Sequence, residues 1–155
     1  PGKLVATEPG PLRRSNNVGQ LLHVSTAHGD PGEPPRADMV TVEACIANVL
    51  RYVEDENRYS SVLIPMLGTG QGGLRVKAVA AKLLERAVAF MRENPHGKLK
   101  SVYLLAYSEI DADDLAQAFQ QRAAAGDFVD EQALPQPDAG AVKPAESTPA
   151  TSAEV

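Results

Sequence analysis

Leu67-Gly68-Thr69-Gly70-Gln71-Gly72-Gly73 sets four glycines within six residues, after an apolar run and before a long stretch of helical periodicity. Strand, glycine loop and helix is an arrangement that brings bare backbone N–H groups against a phosphate. The glycines remove the Cβ atoms that would hold a ligand off, and the helix N-terminus adds a favourable dipole. A nucleotide or phosphate ester is the ligand this chemistry points to. Gly68, Gly70 and Gly73 also satisfy GxGxxG at a strand-to-helix turn. A Rossmann site needs an acid for the ribose roughly 20 residues further on, at the end of the next strand. Here the helix fills that distance, and the next strand ends near Glu109. No Gly-Lys-Ser/Thr follows, which excludes a P-loop. The plain alternative is a tight connection that uses glycine for its backbone angles.

The elements that must position this loop follow from periodicity. Residues 3–7 and 20–25 (QLLHVS) read as short strands, separated by Pro9, Gly10, Pro11, Asn16, Asn17 and Gly19, all turn residues. Residues 27–35 form a second Gly/Pro loop. Asp38 is expected to cap a helix reaching about Glu56, with Val42, Cys45, Ile46, Val49, Leu50 and Val53 on one face. Residues 61–67 (SVLIPML) are almost unbroken in apolar character, as for a strand covered on both faces. Residues 75–93 repeat the helical period until Asn94-Pro95-His96-Gly97 stops it. Residues 99–107 (LKSVYLLAY) are the next strand, and 111–124 a final helix on Leu115, Ala118 and Phe119. Strands alternating with long helices predict an α/β fold, with a mostly parallel sheet sandwiched between helices. Ligands of such sheets bind beyond the carboxyl ends of the strands. Both the glycine loop and Tyr107-Ser108 fall there.

A chain of 155 residues is one domain's worth and can bury a real core. Trp is absent and aromatic content is 5%, which argues against a stacking platform for single-stranded nucleic acid. Cys45 is the sole cysteine, so an internal disulfide and a CxxC metal site are both ruled out, and a reducing, cytoplasmic setting is expected. No apolar run approaches membrane-spanning length, and no charged-then-apolar leader is seen. The net charge of -5 belongs to the end of the chain. From Asp127 onward six acids (Asp127, Asp130, Glu131, Asp138, Glu146, Glu154) face one base, Lys143, so residues 1–126 are balanced. A neutral body is not suited to a duplex phosphate backbone, and no direct nucleic-acid binding is expected. Residues 127–155, rich in Ala, Pro, Ser and Thr, are predicted to be a disordered acidic tail behind a folded domain at 1–126.

IPMLGTGQGG, followed by an Ala/Leu-rich helix, a strand and LLAYSE, resembles the back two-thirds of a macro domain, a module that binds ADP-ribose and related metabolites. The resemblance runs from about Gly2 to Phe119 and includes GQLLHVS, similar to the family's strand ending in an Ile-His-like pair. It implies that the backbone of Gly68, Thr69, Gly70, Gln71 and Gly72, with Gly73 completing the loop, wraps the pyrophosphate and the adjoining ribose. It also implies that Tyr107 lies against the adenine or its ribose, with Ser108 nearby. Chemistry alone allows two readings of Tyr107: a platform for a base, or a core aromatic packed under the last helix.

The family's front portion is not seen before Pro1. That portion carries an acid reading the adenine amine, an Asn near the distal ribose and a second glycine loop. Hydrolytic members draw their catalytic groups from it, so no catalytic residue is assigned here. The implied function is binding of ADP-ribose or a related nucleotide diphosphate, with an ADP-ribosylated protein as a further partner and no cofactor. Hydrolysis of ADP-ribosyl groups or O-acetyl-ADP-ribose is the enzymatic alternative, and a ligand-free interaction module of the same fold is the second. Missing leading strands would expose a sheet edge, from which self-association or an upstream partner is expected.

Other candidates weigh less. His23, inside an apolar strand, reads as a hydrogen-bonded structural residue. His28, in a Gly/Pro loop, either reaches a ligand or is solvated. Cys45 falls on the apolar helix face and reads as core. Arg75 and Lys77 open a helix whose dipole disfavours cations there, so they contact an anion or solvent. Asp111, Asp113 and Asp114 are expected to cap the last helix, and no metal ligands stand at a useful spacing.

Overall fold

The computed structural model describes residues 2–30 and 32–126; the predicted tail lies outside the described residues. Along the chain run β1 (Leu4–Thr7), α1 (Leu12–Ser15), β2 (Leu21–Val24), β3 (Ala27–His28), β4 (Arg36–Ala37), α2 (Met39–Asp55), β5 (Ser61–Pro65), α3 (Val76–Glu93), β6 (Ser101–Leu105) and α4 (Glu109–Ala124). The fold is mixed α/β. A single, mostly parallel sheet is not what the described residues form. Their strands make three separate pairs: β1–β2 and β3–β4 antiparallel, β5–β6 parallel. Connection chemistry explains the split. Of the three pairs, only β5–β6 has its strands joined by a full helical crossover, which parallel pairing requires, whereas the shorter connections within the other two return the chain antiparallel.

Helices α2 and α3 supply most of the core. Val42, Ile46, Val49, Leu50 and Val53 of α2 pack with Val79, Ala80, Leu83 and Leu84 of α3, joined by Ile64, Leu99, Leu115 and Ala118; Cys45, on the same helix, is also fully buried. Asp38 caps α2 as expected: its carboxylate accepts from the Thr41 amide at 2.8 Å and from the Thr41 hydroxyl at 2.8 Å. At the other end, Glu54 accepts from the amides of Lys98 (2.7 Å) and Leu99 (2.9 Å), tying α2 to the turn that leads into β6. Those two backbone donors hold its carboxyl below the usual glutamate range.

The β1–β2 hairpin is fastened to α2 by side chains. Asn48 donates to the Gly2 carbonyl (2.9 Å), Cys45 Sγ to the Ser25 carbonyl (3.5 Å), and the Tyr52 hydroxyl to Gln20 Oε1 (3.2 Å).

Among the described residues, the β5–β6 pair is covered on one face. Val62, Ile64, Val102 and Leu104 turn toward the helices, while Leu63, Tyr103 and Leu105 stay 58%, 58% and 48% exposed. Among the described residues, 61–67 therefore do not form the doubly covered strand that their unbroken apolar character predicts; the strand itself ends at Pro65. Apolar composition on both faces states what a strand could bury, not what is present to cover it.

Candidate functional site

The glycine loop leaves β5 at Pro65 and enters α3 at Val76. It closes on itself: the Leu74 amide donates to the Gly68 carbonyl (3.1 Å), and the Gly73 amide to that of Gly70 (3.1 Å). The Thr69 hydroxyl donates to the Met66 carbonyl at 2.9 Å and so braces the turn from within. From outside, the Ala37 amide of β4 donates to the Gly72 carbonyl at 3.1 Å. After these bonds, the amides of Gly68, Thr69, Gly70, Gln71 and Gly72 have no acceptor among the described residues. Gly70, Gln71 and Gly73 are exposed, and Gly68, Thr69 and Gly72 half-buried.

The four glycines serve different ends. Gly68 and Gly73 have φ of +76° and +75°, the left-handed region that favours glycine. A Cβ on Gly68 would meet Ala37 Cβ at 2.9 Å, and one on Gly72 would lie 2.6 Å from the Gly68 carbonyl oxygen and 2.7 Å from Ala37 Cβ. Folding alone therefore requires three of them. Gly70 is the exception: a Cβ there meets nothing within 4 Å.

Tyr107 follows β6, and the ladder sets Pro65 opposite Leu105, so Tyr107 and the glycine loop emerge at the same, carboxyl end of the parallel pair. Its side chain is 99% exposed, which removes the reading of a core aromatic packed under α4. Ser108 is the N-cap of α4. Its hydroxyl accepts from the Asp111 amide (3.2 Å), and the Asp111 carboxylate accepts from the Ser108 amide (3.2 Å), a reciprocal capping box. The Ser-x-x-Asp spacing was its signal in the sequence; the helix starts at Glu109, two residues before the predicted position.

Helix α3 begins without a side-chain cap and without an acid in its first turn. Among the described residues its positive end thus has no such compensation, and it lies beside the loop amides that lack acceptors. Lys77 reaches across to Gln117 Oε1 at 3.3 Å. Arg75, as N-cap, is exposed.

The remaining candidates settle elsewhere. His23 is hydrogen-bonded to the Thr7 hydroxyl (2.9 Å), although it faces solvent rather than the core. His28 Nδ1 lies 3.6 Å from the capping carboxylate of Asp38. Cys45 is fully buried, and burial raises its thiol pKa. Among the described residues no group of three or more His, Cys, Asp or Glu is placed to hold a metal ion. None of their helices is long and apolar enough to cross a membrane. A shallow groove lined by Gly10, Pro11, Arg13, Arg14 and Ser15 includes no residue of the glycine loop.

Sequence reasoning missed Ala37. Its amide and methyl group seat the loop, yet it belongs to a two-residue strand too short for any periodic signal. No protein-family model and no curated protein sequence matches this chain. Its functional reading therefore rests on the loop and its surroundings.

Proposed function

We propose that this chain binds ADP-ribose or a related nucleotide diphosphate on a macro-type fold, through the backbone of the 68–73 loop. The observation that carries the reading is the run of five amides, Gly68 to Gly72, left without acceptors among the described residues, at the start of α3, which has no side-chain cap. Such donors, with the helix dipole behind them, complement the oxygens of a pyrophosphate. Tyr107, exposed at the same end of the strands, offers its ring to the adenine or its ribose. Gly70 is where the ligand approaches most closely, since no internal contact accounts for its missing side chain.

Calorimetric titration with ADP-ribose, ADP, AMP and NAD tests this. The wild-type chain should take up ADP-ribose, and Gly70→Glu, which sets a carboxylate in the anion's path, should abolish uptake while the fold is kept. A mutant that binds normally would refute the loop assignment. The packing of Gly68 and Gly72 against Ala37 favours a second reading, a ligand-free interaction module whose glycines serve folding alone. No heat and no melting shift with any of the four ligands would establish that one. Ligand at a hundred times its dissociation constant should otherwise stabilise the chain by about 2.7 kcal/mol.

A further inference from the structure

We propose that Gln71 is the specificity-determining residue of the glycine loop, its side-chain carboxamide reading hydroxyl groups on what the ligand carries beyond the pyrophosphate. The inference rests on the loop's binding a nucleotide diphosphate. Between Gly68 and Gly73 the chain has only two side chains, Thr69 and Gln71. Thr69 is half-buried and commits its hydroxyl proton to the Met66 carbonyl at 2.9 Å. Gln71 is exposed, and its carboxamide makes no hydrogen bond to the described residues. The bond from the Gly73 amide to the Gly70 carbonyl closes a four-residue turn, with Gln71 and Gly72 at its corners. The Gly72 corner rests on Ala37, where a Cβ would lie 2.7 Å from the Ala37 methyl. That leaves Gln71 as the exposed corner. Its own amide is one of the five, Gly68 to Gly72, that lack acceptors among the described residues. A ligand lying on those amides therefore has one side chain of the loop to meet, and it is this one.

The chemistry of the group selects what it reads. A carboxamide is neutral, with an acceptor oxygen beside its two N–H donors. Phosphate oxygens accept only, and the backbone donors already answer them. A hydroxyl both gives and accepts, and a carboxamide matches it on both counts. The base is given to Tyr107, so the part of the ligand left for Gln71 is the group on the other phosphate. A polyhydroxylated group, a sugar, is the class that fits. A site that hydrogen-bonds a ligand hydroxyl discriminates against the analogue lacking it. Gln71 thus favours a nucleotide diphosphate bearing a second sugar over the bare nucleoside diphosphate.

Calorimetric titration of the full chain with ADP-ribose and with ADP tests the proposal in the wild type, Gln71→Ala and Gln71→Leu. Leucine fills nearly the same space without polar atoms, so equal losses in the two variants assign the effect to the carboxamide. Each should weaken ADP-ribose binding about three- to tenfold, the range of one neutral hydrogen bond. Affinity for ADP and the melting temperature should stay unchanged, since the side chain is exposed and makes no internal bond. The ratio of the two affinities therefore falls by the same factor. A loss shared equally by ADP and ADP-ribose, a loss confined to Gln71→Ala, or no loss at all overturns the proposal and leaves the loop assignment standing. A wild-type chain that takes up neither ligand removes the loop assignment and this proposal together.

Discussion

A methyl group on Gly72 would press on the Gly68 carbonyl and on Ala37, whereas one on Gly70 would stand in open space. The two substitutions therefore separate folding from binding. Gly72→Ala is expected to lower the melting temperature by several degrees, a cost of about 1–3 kcal/mol. Gly70→Ala should leave melting unchanged and weaken ADP-ribose binding about tenfold, since its methyl occupies the space the ligand oxygens require. Scanning fluorimetry and calorimetry on both variants check this, and equal loss of stability in the two would contradict it. At this scale the sequence shows that glycine is abundant and where the loop sits. It does not show why each glycine is there, because the demand on Gly68 and Gly72 comes from the way the loop folds back on itself and from Ala37, in a distant part of the chain. Tyr107 was undecidable for a related reason: an aromatic residue just past a strand has the same neighbours in sequence whether it is buried or bare.

The start of α2 was legible because its cap is local: Asp38 uses a contact three residues away. At α4 the cap is Ser108, with Asp111 completing the box from the third position, rather than the expected Asp111, Asp113 and Asp114, and the helix starts two residues earlier than predicted. The clamp at the far end of α2 was not legible, because Glu54 acts on amides more than forty residues later. Gly97 completes it: a Cβ there would lie 2.7 Å from Glu54 Oε1, so Gly97→Ala should displace the carboxylate and lower the melting temperature. In a Glu54→Ala background the same change should cost much less, a non-additivity that a double-mutant cycle in urea measures. The clamp also has a pH signature. The folded pKa of Glu54 lies below its unfolded value of about 4.3. Its contribution is thus present above that pH and is lost as pH falls through the folded value. Asp38, held down by the Thr41 donors, and Glu43, held down by Arg86 and Lys82, act in the same direction. Stability should fall from about pH 4.3 downward, and less steeply in Glu54→Gln, as urea midpoints across that range would reveal.

For the molecule as a whole, periodicity located every long helix and the strands that flank the glycine loop, because a covered helix face repeats regularly in sequence. The number of sheets escaped it: alternation tells which side of a strand is apolar, not which strand lies beside it. Ile46, fully enclosed between α2 and its neighbours, marks the centre. Ile46→Ala should cost about 2–5 kcal/mol in equilibrium unfolding. Val40→Ala, on the solvent side of the same helix, should leave stability nearly unchanged. The separate strand pairs have one more outcome. The β1–β2 hairpin shares no ladder with β5–β6, and Asn48, Cys45 and Tyr52 of α2, with Arg58 just beyond it, hold it by hydrogen bonds. Leu4, Leu22 and Val24 also rest against the core, so the hairpin is expected to open as its own cooperative unit only at the expense of those contacts, before the helical core itself opens. In native-state hydrogen exchange its amides should lose protection well before those of α3, and Asn48→Ala should speed exchange in the hairpin alone.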